Sequence, residues 1–278
     1  MHPIGVFDSG VGGLTVLRAI AHHFPGQPAI YVADQAHVPY GGRDLAEVRS
    51  FAEGISRALV EAGCKVIVMA CNISSATAVE AVESAFPNVP VIEMIGGACR
   101  HAVRQSESAI GVLTTQGTLQ SGAYRRKLLE AKPGAMVVEE ACPEFVPIVE
   151  QGMMGSEQAR AAVRKRLQPL ADAGCDTVIL GCTHYPFLFD DLRSAATDLF
   201  ENTPRFIDPA QETVSAINNL FSGDGASAEY HMLTTGPTEP FAAQLQKLLP
   251  GLASTVEQAV WNTSGMLILP PHTANTSF

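Results

Sequence analysis

Two eleven-residue segments of this chain run alongside each other. Ala62-Gly63-Cys64-Lys65-Val66-Ile67-Val68-Met69-Ala70-Cys71-Asn72 matches Ala173-Gly174-Cys175-Asp176-Thr177-Val178-Ile179-Leu180-Gly181-Cys182-Thr183, with four of the eleven positions identical. Ile4-Gly5-Val6 followed by Asp8-Ser9 is echoed by Ile110-Gly111-Val112 followed by Thr114-Thr115. Buried parallel strands draw on few residue types and can look alike for that reason alone. The sharper reading is two lobes of similar build facing each other across a cleft, each with a cysteine just past the carboxyl end of a strand.

Short apolar runs alternate with amphipathic segments along nearly the whole chain. Strands are expected at 4–7, 30–33, 66–70, 91–93, 109–113, 136–138, 177–181 and 230–233. Leu45, Val48, Ala52, Ile55 and Leu59 recur at helical spacing, which makes one buried helix face within 43–62. Similar patterns fit 14–22, 75–85, 157–171 and 238–248. Strand–helix alternation of this kind gives an α/β fold whose mostly parallel sheets are covered on both faces.

The chain has 278 residues and a net charge of −10 with only 18 Lys and Arg, which argues against nucleic acid or an anionic membrane as the main partner. A small anion is still a candidate ligand, because backbone N–H groups alone can hold one. No window approaches the roughly 18 apolar residues of a membrane span. The opening Met1-His2-Pro3-Ile4 lacks the pattern of a secretion signal, so a cytoplasmic protein with reduced cysteines is expected. The final stretch from Pro270 lacks apolar periodicity and reads as a tail.

The glycines of Asp8-Ser9-Gly10-Val11-Gly12-Gly13 let backbone N–H groups approach an anion at a helix start, but Thr15 stands where a dinucleotide fingerprint needs glycine. A turn capped by Asp8 or Ser9 is the plainer alternative. Pro39-Tyr40-Gly41-Gly42-Arg43 reads as a turn, or as a cleft wall with Tyr40 and Gly41 inside it. Thr115 and Thr118 can cap a helix or hold a carboxylate. Glu150, read alone, is a solvated helix charge. Cys71, Cys182 and His184 lack a recognised zinc spacing, and no metal is expected.

Polar Asn72, Thr183 and His184 directly follow Cys71 and Cys182, and ligands bind at that edge of open α/β sheets. A free thiol has a pKa near 8.5, so only about 3% is thiolate at pH 7. A carboxylate or imidazole neighbour can supply both the basic and the acidic form. One sulfur on each face of a bound substrate would take a proton from a carbon next to a carboxylate on one side and return it from the other, inverting the stereocentre. Asp8 is the candidate partner for Cys71, and His184 with Glu150 for Cys182.

Phe7-Asp8-Ser9-Gly10-Val11-Gly12-Gly13, Pro39-Tyr40-Gly41, Ala70-Cys71-Asn72 and Gly181-Cys182-Thr183-His184-Tyr185-Pro186 together resemble the cofactor-independent aspartate/glutamate racemases. Ser121-Gly122-Ala123-Tyr124 and Cys142-Pro143-Glu144-Phe145-Val146-Pro147 extend the likeness, which covers about residues 4–240. The resemblance implies two pseudo-symmetric lobes, 1–95 with 208–278 and 96–207. It implies interconversion of L- and D-glutamate without pyridoxal phosphate or metal, supplying D-glutamate for peptidoglycan. Cys71 and Cys182 would be the acid/base thiols, assisted by Asp8, Glu150 and His184. Substrate would be bound by Asp8, Ser9, Tyr40, Gly41, Asn72, Ile73, Thr115, Thr118, Thr183 and His184. Members of that family often pair as homodimers.

One departure stands out. The family usually has Thr after Cys-Asn, where this chain has Ile73. A lost hydroxyl donor costs about 0.5–1.5 kcal/mol, and Ser74 or Ser75 are candidates to compensate. Gln35 and His37 also replace more usual residues. Competing readings are a racemase of another acidic amino acid such as aspartate, a Cys–His acyl-transfer enzyme using Cys182 and His184, and a two-lobed protein that binds an amino acid without chemistry.

Overall fold

The computed structural model describes residues 2–218, 220, 228–252 and 255–270. Its first part alternates β1 (Ile4–Asp8), α1 (Leu14–His23), β2 (Ala29–Ala33), α2 (Leu45–Glu61), β3 (Val66–Met69), α3 (Asn72–Ala85) and β4 (Val91–Ile92). A second part follows with α4 (Ile95–Gln105), β5 (Ala109–Thr114), α5 (Gln116–Ser121), α6 (Ala123–Ala131), β6 (Met136–Ala141) and α7 (Phe145–Glu150). It continues through α8 (Glu157–Asp172), β7 (Cys175–Gly181), α9 (Phe189–Leu199) and β8 (Arg205–Ile207). The chain then returns through α10 (Pro209–Ile217), β9 (Tyr230–Thr234), α11 (Thr238–Leu248) and β10 (Val256–Gln258), ending in a small hairpin of β11 (Val260–Trp261) and β12 (Leu267–Ile268). Helix starts follow local chemistry: Asp44, Ser156 and Asp208 each accept a hydrogen bond from an N–H of the first turn.

The strands form two wholly parallel sheets, ordered β10-β9-β2-β1-β3-β4 and β6-β5-β7-β8. The run β2-β1-β3-β4 is repeated by β6-β5-β7-β8, so the sequence repeat is a repeat of topology. Register repeats as well, with Gly5 opposite Ile67 and Gly111 opposite Val178. At both glycines a leucine from the helix before the third strand presses onto the backbone. A Cβ on Gly5 would stand 3.1 Å from Leu59 of α2, and one on Gly111 would stand 2.5 Å from Leu170 of α8. Leu59 and Leu170 occupy equivalent places in the two halves.

Each sheet is buried on both faces, as parallel sheets with crossover helices must be. Val6 and Val68 face the core that contains α1 and α10, while Phe7, Ile67 and Met69 face the core under α2. The expected strands fall within one to three residues of those observed. The short β8 and β10, the hairpin, and helices α4, α5, α6, α7, α9 and α10 are not among the expected elements, although α4 and α9 are amphipathic 11-residue helices. Residues 271–278 of the expected tail lie outside the described residues. Among the described residues no helix is long and apolar enough to cross a membrane.

Leu170 is fully buried against Gly111. Leu170→Ala is expected to cost about 2–5 kcal/mol of unfolding free energy. Urea denaturation should show this as a lower midpoint at unchanged slope.

Candidate active site

The carboxyl ends of the two sheets meet. Asp8 and Ser9 follow β1, Tyr40 and Gly41 lie in a single 3-10 turn after β2, and Cys71 joins β3 to α3. From the other sheet, Thr115 and Thr118 follow β5, while Cys182, Thr183 and His184 follow β7. All of these, with Asn72 and Ile73, line one cavity of about 30 Å³, together with Pro39 and Val146. Each sheet therefore delivers one cysteine to the same enclosure. The volume admits about two waters and no amino acid, so the walls must part for a ligand to enter.

The lobes touch where side chains are missing. A Cβ on Gly12 would overlap Thr183 Oγ1 and lie 2.5 Å from His184 Nδ1. Glycine at 12 therefore serves close approach of the opposite lobe as much as any anion. Polar bonds cross the same seam. Thr183 donates to Asp8 Oδ1 at 3.3 Å, and the Tyr124 hydroxyl donates to Asn72 Oδ1 at 2.6 Å.

Behind Cys182 runs a relay of polar groups. His184 Nδ1 lies 3.8 Å from Cys182 Sγ, and its Nε2 lies 2.7 Å from Glu150 Oε1. Gln244 of α11 donates to Glu150 Oε2 at 3.3 Å. The Glu150 side chain is 22% exposed and tied to this relay, the expected partner of His184 and not the solvated charge of the plainer alternative. Burial alone would lower the His184 pKa, but Cys182, Glu150 and Asp8 outweigh it and hold it up to about 10. The ring is then an imidazolium at neutral pH, with one N–H for the carboxylate and one for the sulfur. Burial likewise works against Glu150 ionising, yet His184, Gln244 and the Val11 N–H lower its pKa.

Cys71 sits in a different field. Burial, with the Asp8 charge added, pushes its thiol up to about 12, against the opposing pull of the Ser74 hydroxyl and N–H. Asp8 is itself raised by burial, partly offset by His184 and the Gly10 N–H, which donates to Oδ2 at 3.0 Å. Cys71 thus holds its proton at neutral pH, while Cys182 has the His184 imidazolium beside it. Two equivalent residues of the repeat therefore have different neighbours, Asp8 for one and His184 for the other.

Asn72 carries a further signal. Tyr124 fixes its carbonyl oxygen, leaving its buried Nδ2 without a protein partner at the first turn of α3. A buried unpaired donor is costly, and an incoming acceptor would relieve it. Ile73 turns its side chain to Tyr40, Val48 and Cys71, and its Cδ1 fills the space a Cβ on Gly117 would need. Ser75 does not compensate for the missing hydroxyl, because it donates to Met69 O and accepts from Met94 N, each at 3.1 Å. Thr115 and Thr118 line the cavity and also cap, Thr115 Oγ1 accepting from the Thr118 N–H at 3.3 Å.

Sequence reasoning missed Gln244 and Val146 as site residues. Tyr124 and Val146 belong to motifs of the family likeness, which assign neither a role. Nothing local marks Gln244, a polar residue on an ordinary amphipathic helix. Gln35, which had no assigned consequence, donates to Gln244 Oε1 at 3.4 Å. Among the described residues no group of three or more His, Cys, Asp or Glu side chains could hold a metal ion.

Two repeated parallel sheets, meeting at their strand ends around a paired-thiol cavity, define a two-lobed α/β scaffold of the amino-acid racemase class. The family model for Asp/Glu/hydantoin racemases matches residues 12–217, and the chain belongs to that family. It is 43% identical over 215 residues to a glutamate racemase of a Picosynechococcus species, covering 77% of this chain and 75% of the relative. A crystal structure of a glutamate racemase isoform from Bacillus anthracis superposes with a TM-score of 0.86 at 32% identity, covering 92% and 97% of the two chains. A glutamate racemase from Francisella tularensis, solved in complex with D-glutamate, gives 0.85 at 27% identity over 92% and 97%.

A methyl at Gly12 would force Thr183 and His184 away from Asp8. Gly12→Ala should lower turnover about 10- to 100-fold while the far-ultraviolet circular dichroism stays unchanged, since small misplacements of reacting groups are expensive. The His184 proton stabilises the fold in full below the ordinary imidazole value of 6.5, and this is lost as pH rises through about 10. Urea unfolding at pH 7 and pH 10 should therefore show a larger loss for the parent than for His184→Asn. Equal losses would contradict a charged imidazole.

Proposed function

We propose that this chain interconverts L- and D-glutamate by proton transfer between the α-carbon and two thiols. The observation that carries the reading is one cysteine from each repeat lining the same cavity. In one direction Cys182, as thiolate, takes the α-proton, and the C–H electron pair passes into the carboxylate-conjugated carbanion. Cys71 then gives its proton to the opposite face. The sulfurs have exchanged roles, no electron has been gained or lost, and the stereocentre is inverted. Running the same steps from Cys71 interconverts the enantiomers the other way.

The substrate carboxylates have neutral donors to meet: the free amide of Asn72, the N–H groups at the start of α3, and the hydroxyls of Ser9, Thr115, Thr118 and Thr183. Backbone at Tyr40, Gly41 and Ile73 completes the cradle, and Asp8 with its raised proton affinity faces the amino group. His184 and Glu150 steady charge at Cys182. In this reading the described parts of 1–95 and 208–270 make one lobe and 96–207 the other. The reaction needs no cofactor, runs in the cytoplasm and feeds D-glutamate to peptidoglycan synthesis. The relatives named as glutamate racemases, and the D-glutamate complex among the neighbours, support the choice of substrate.

Reduced protein incubated with either enantiomer of glutamate in deuterated water should incorporate deuterium at the α-carbon while circular dichroism decays toward zero. Cys71→Ser and Cys182→Ser should each lower turnover by about 10²–10⁴, the usual worth of a positioned acid or base. Folded parent protein that exchanges neither glutamate nor aspartate would overturn the reading. Faster turnover of aspartate would move the substrate but keep the chemistry.

A further inference from the structure

Asp34 directly follows β2 and is fully buried. Its two oxygens meet four polar groups. Oδ2 accepts from the Tyr40 hydroxyl at 2.5 Å and lies 2.8 Å from His37 Nδ1. Oδ1 accepts from the Thr235 hydroxyl at 2.7 Å and from the Trp261 indole N–H at 2.8 Å. A buried carboxylate is tolerated only when hydrogen bonds satisfy it, so each of these donors helps fix the orientation of the rest.

The donors come from two distant stretches of chain. His37 and Tyr40 belong to the segment that brings Tyr40 and Gly41 to the cavity wall. Thr235 and Trp261 belong to the C-terminal return, beyond residue 217 where the family match ends. Trp261 is the single tryptophan of the chain. It lies over Gly54 of α2, where a Cβ would come within 2.8 Å of its ring, and its ring centroid is 5.8 Å from that of Phe51 and 5.6 Å from that of His37. The terminal hairpin therefore seats an indole whose one polar atom reaches the carboxylate holding Tyr40.

We infer that Trp261 is a positioning residue for substrate binding, acting through Asp34 on the Tyr40-Gly41 segment of the cradle. This rests on the proposed reading of that segment as substrate-binding. Without the indole N–H, Oδ1 keeps Thr235 alone, and the carboxylate that fixes the Tyr40 hydroxyl gains freedom to rotate. Trp261 does not line the cavity, so its effect falls on binding and not on proton transfer.

Trp261→Phe in the full chain keeps a ring against Phe51 and Gly54 and removes the donor. The KM for D-glutamate is expected to rise about three- to tenfold with kcat within about twofold. Calorimetric titration with D-glutamate should show the same loss in Kd, independently of turnover. Tyr40→Phe should weaken binding through the same carboxylate, and the double variant should be no worse than the poorer single. In the unsubstituted chain the lone indole emission should change on D-glutamate addition, and Tyr40→Phe should diminish that change. Unaltered KM and Kd in Trp261→Phe, additive losses in the double variant, or an indole blind to D-glutamate would each overturn the inference. If the parent binds D-glutamate but exchanges no α-proton, the paired-thiol reading fails while the calorimetric comparison still decides the role of Trp261. A parent that does not bind D-glutamate overturns both.

Discussion

Gly12 and the Thr183-His184 pair lie so close that the lobes meet with no side chain between them, and the rest of the site depends on that approach. Inverting a carbon centre by proton transfer needs two proton carriers within reach of one carbon, on different faces. A single parallel sheet presents its loops along one edge and serves this poorly. Repeating the sheet and turning the two carboxyl edges toward each other brings one cysteine from each to the same cavity. The bonds Thr183 to Asp8 and Tyr124 to Asn72 then tie each cysteine's neighbourhood to the opposite lobe.

The electrostatics follow from where the charges are kept. None of the residues lining the cavity is Lys or Arg, and the chain as a whole carries a net charge of −10. An anionic substrate must therefore be met by neutral donors and by His184, whose imidazolium is shared between a carboxylate and a sulfur. Burial and the Asp8 charge raise the Cys71 thiol, whereas Cys182 has the His184 ring beside it. The asymmetry is an effect of neighbours. It lies in Asp8 and in the Glu150–Gln244 relay, and the cysteines themselves occupy matching places in the fold.

Much of this was legible from the residues. The Ala-Gly-Cys repeat marked β3 and β7, and the paired Ile-Gly-Val segments marked β1 and β5, because buried strands and close helix packing restrict residue choice at those points. Asp8, Ser9, Cys71, Asn72, Thr115, Cys182, Thr183 and His184 could be read because they lie at or just past strand ends. What stayed hidden acts across long separations. Gln244 reaches Glu150 from a helix 94 residues away, and Trp261 reaches Asp34 across 227. Neither leaves a local pattern. Glu150 could be paired with His184 only through the motifs, because exposure is a property of the assembled fold.

Ile73 shows how one position can serve the lobes instead of the ligand. Its backbone N–H stays at the start of α3, where an anion would sit. Its side chain leaves the polar wall, joins Tyr40 and Cys71 in a small apolar cluster and fills the notch at Gly117 of the opposite lobe. A hydroxyl there would offer a donor and leave that notch less well filled. The exchange makes sense only if another donor takes the carboxylate. Asn72, next in the chain, has an unpaired amide held in place by Tyr124. Apolar contact between lobes and an unpaired polar donor are thus divided between neighbouring residues.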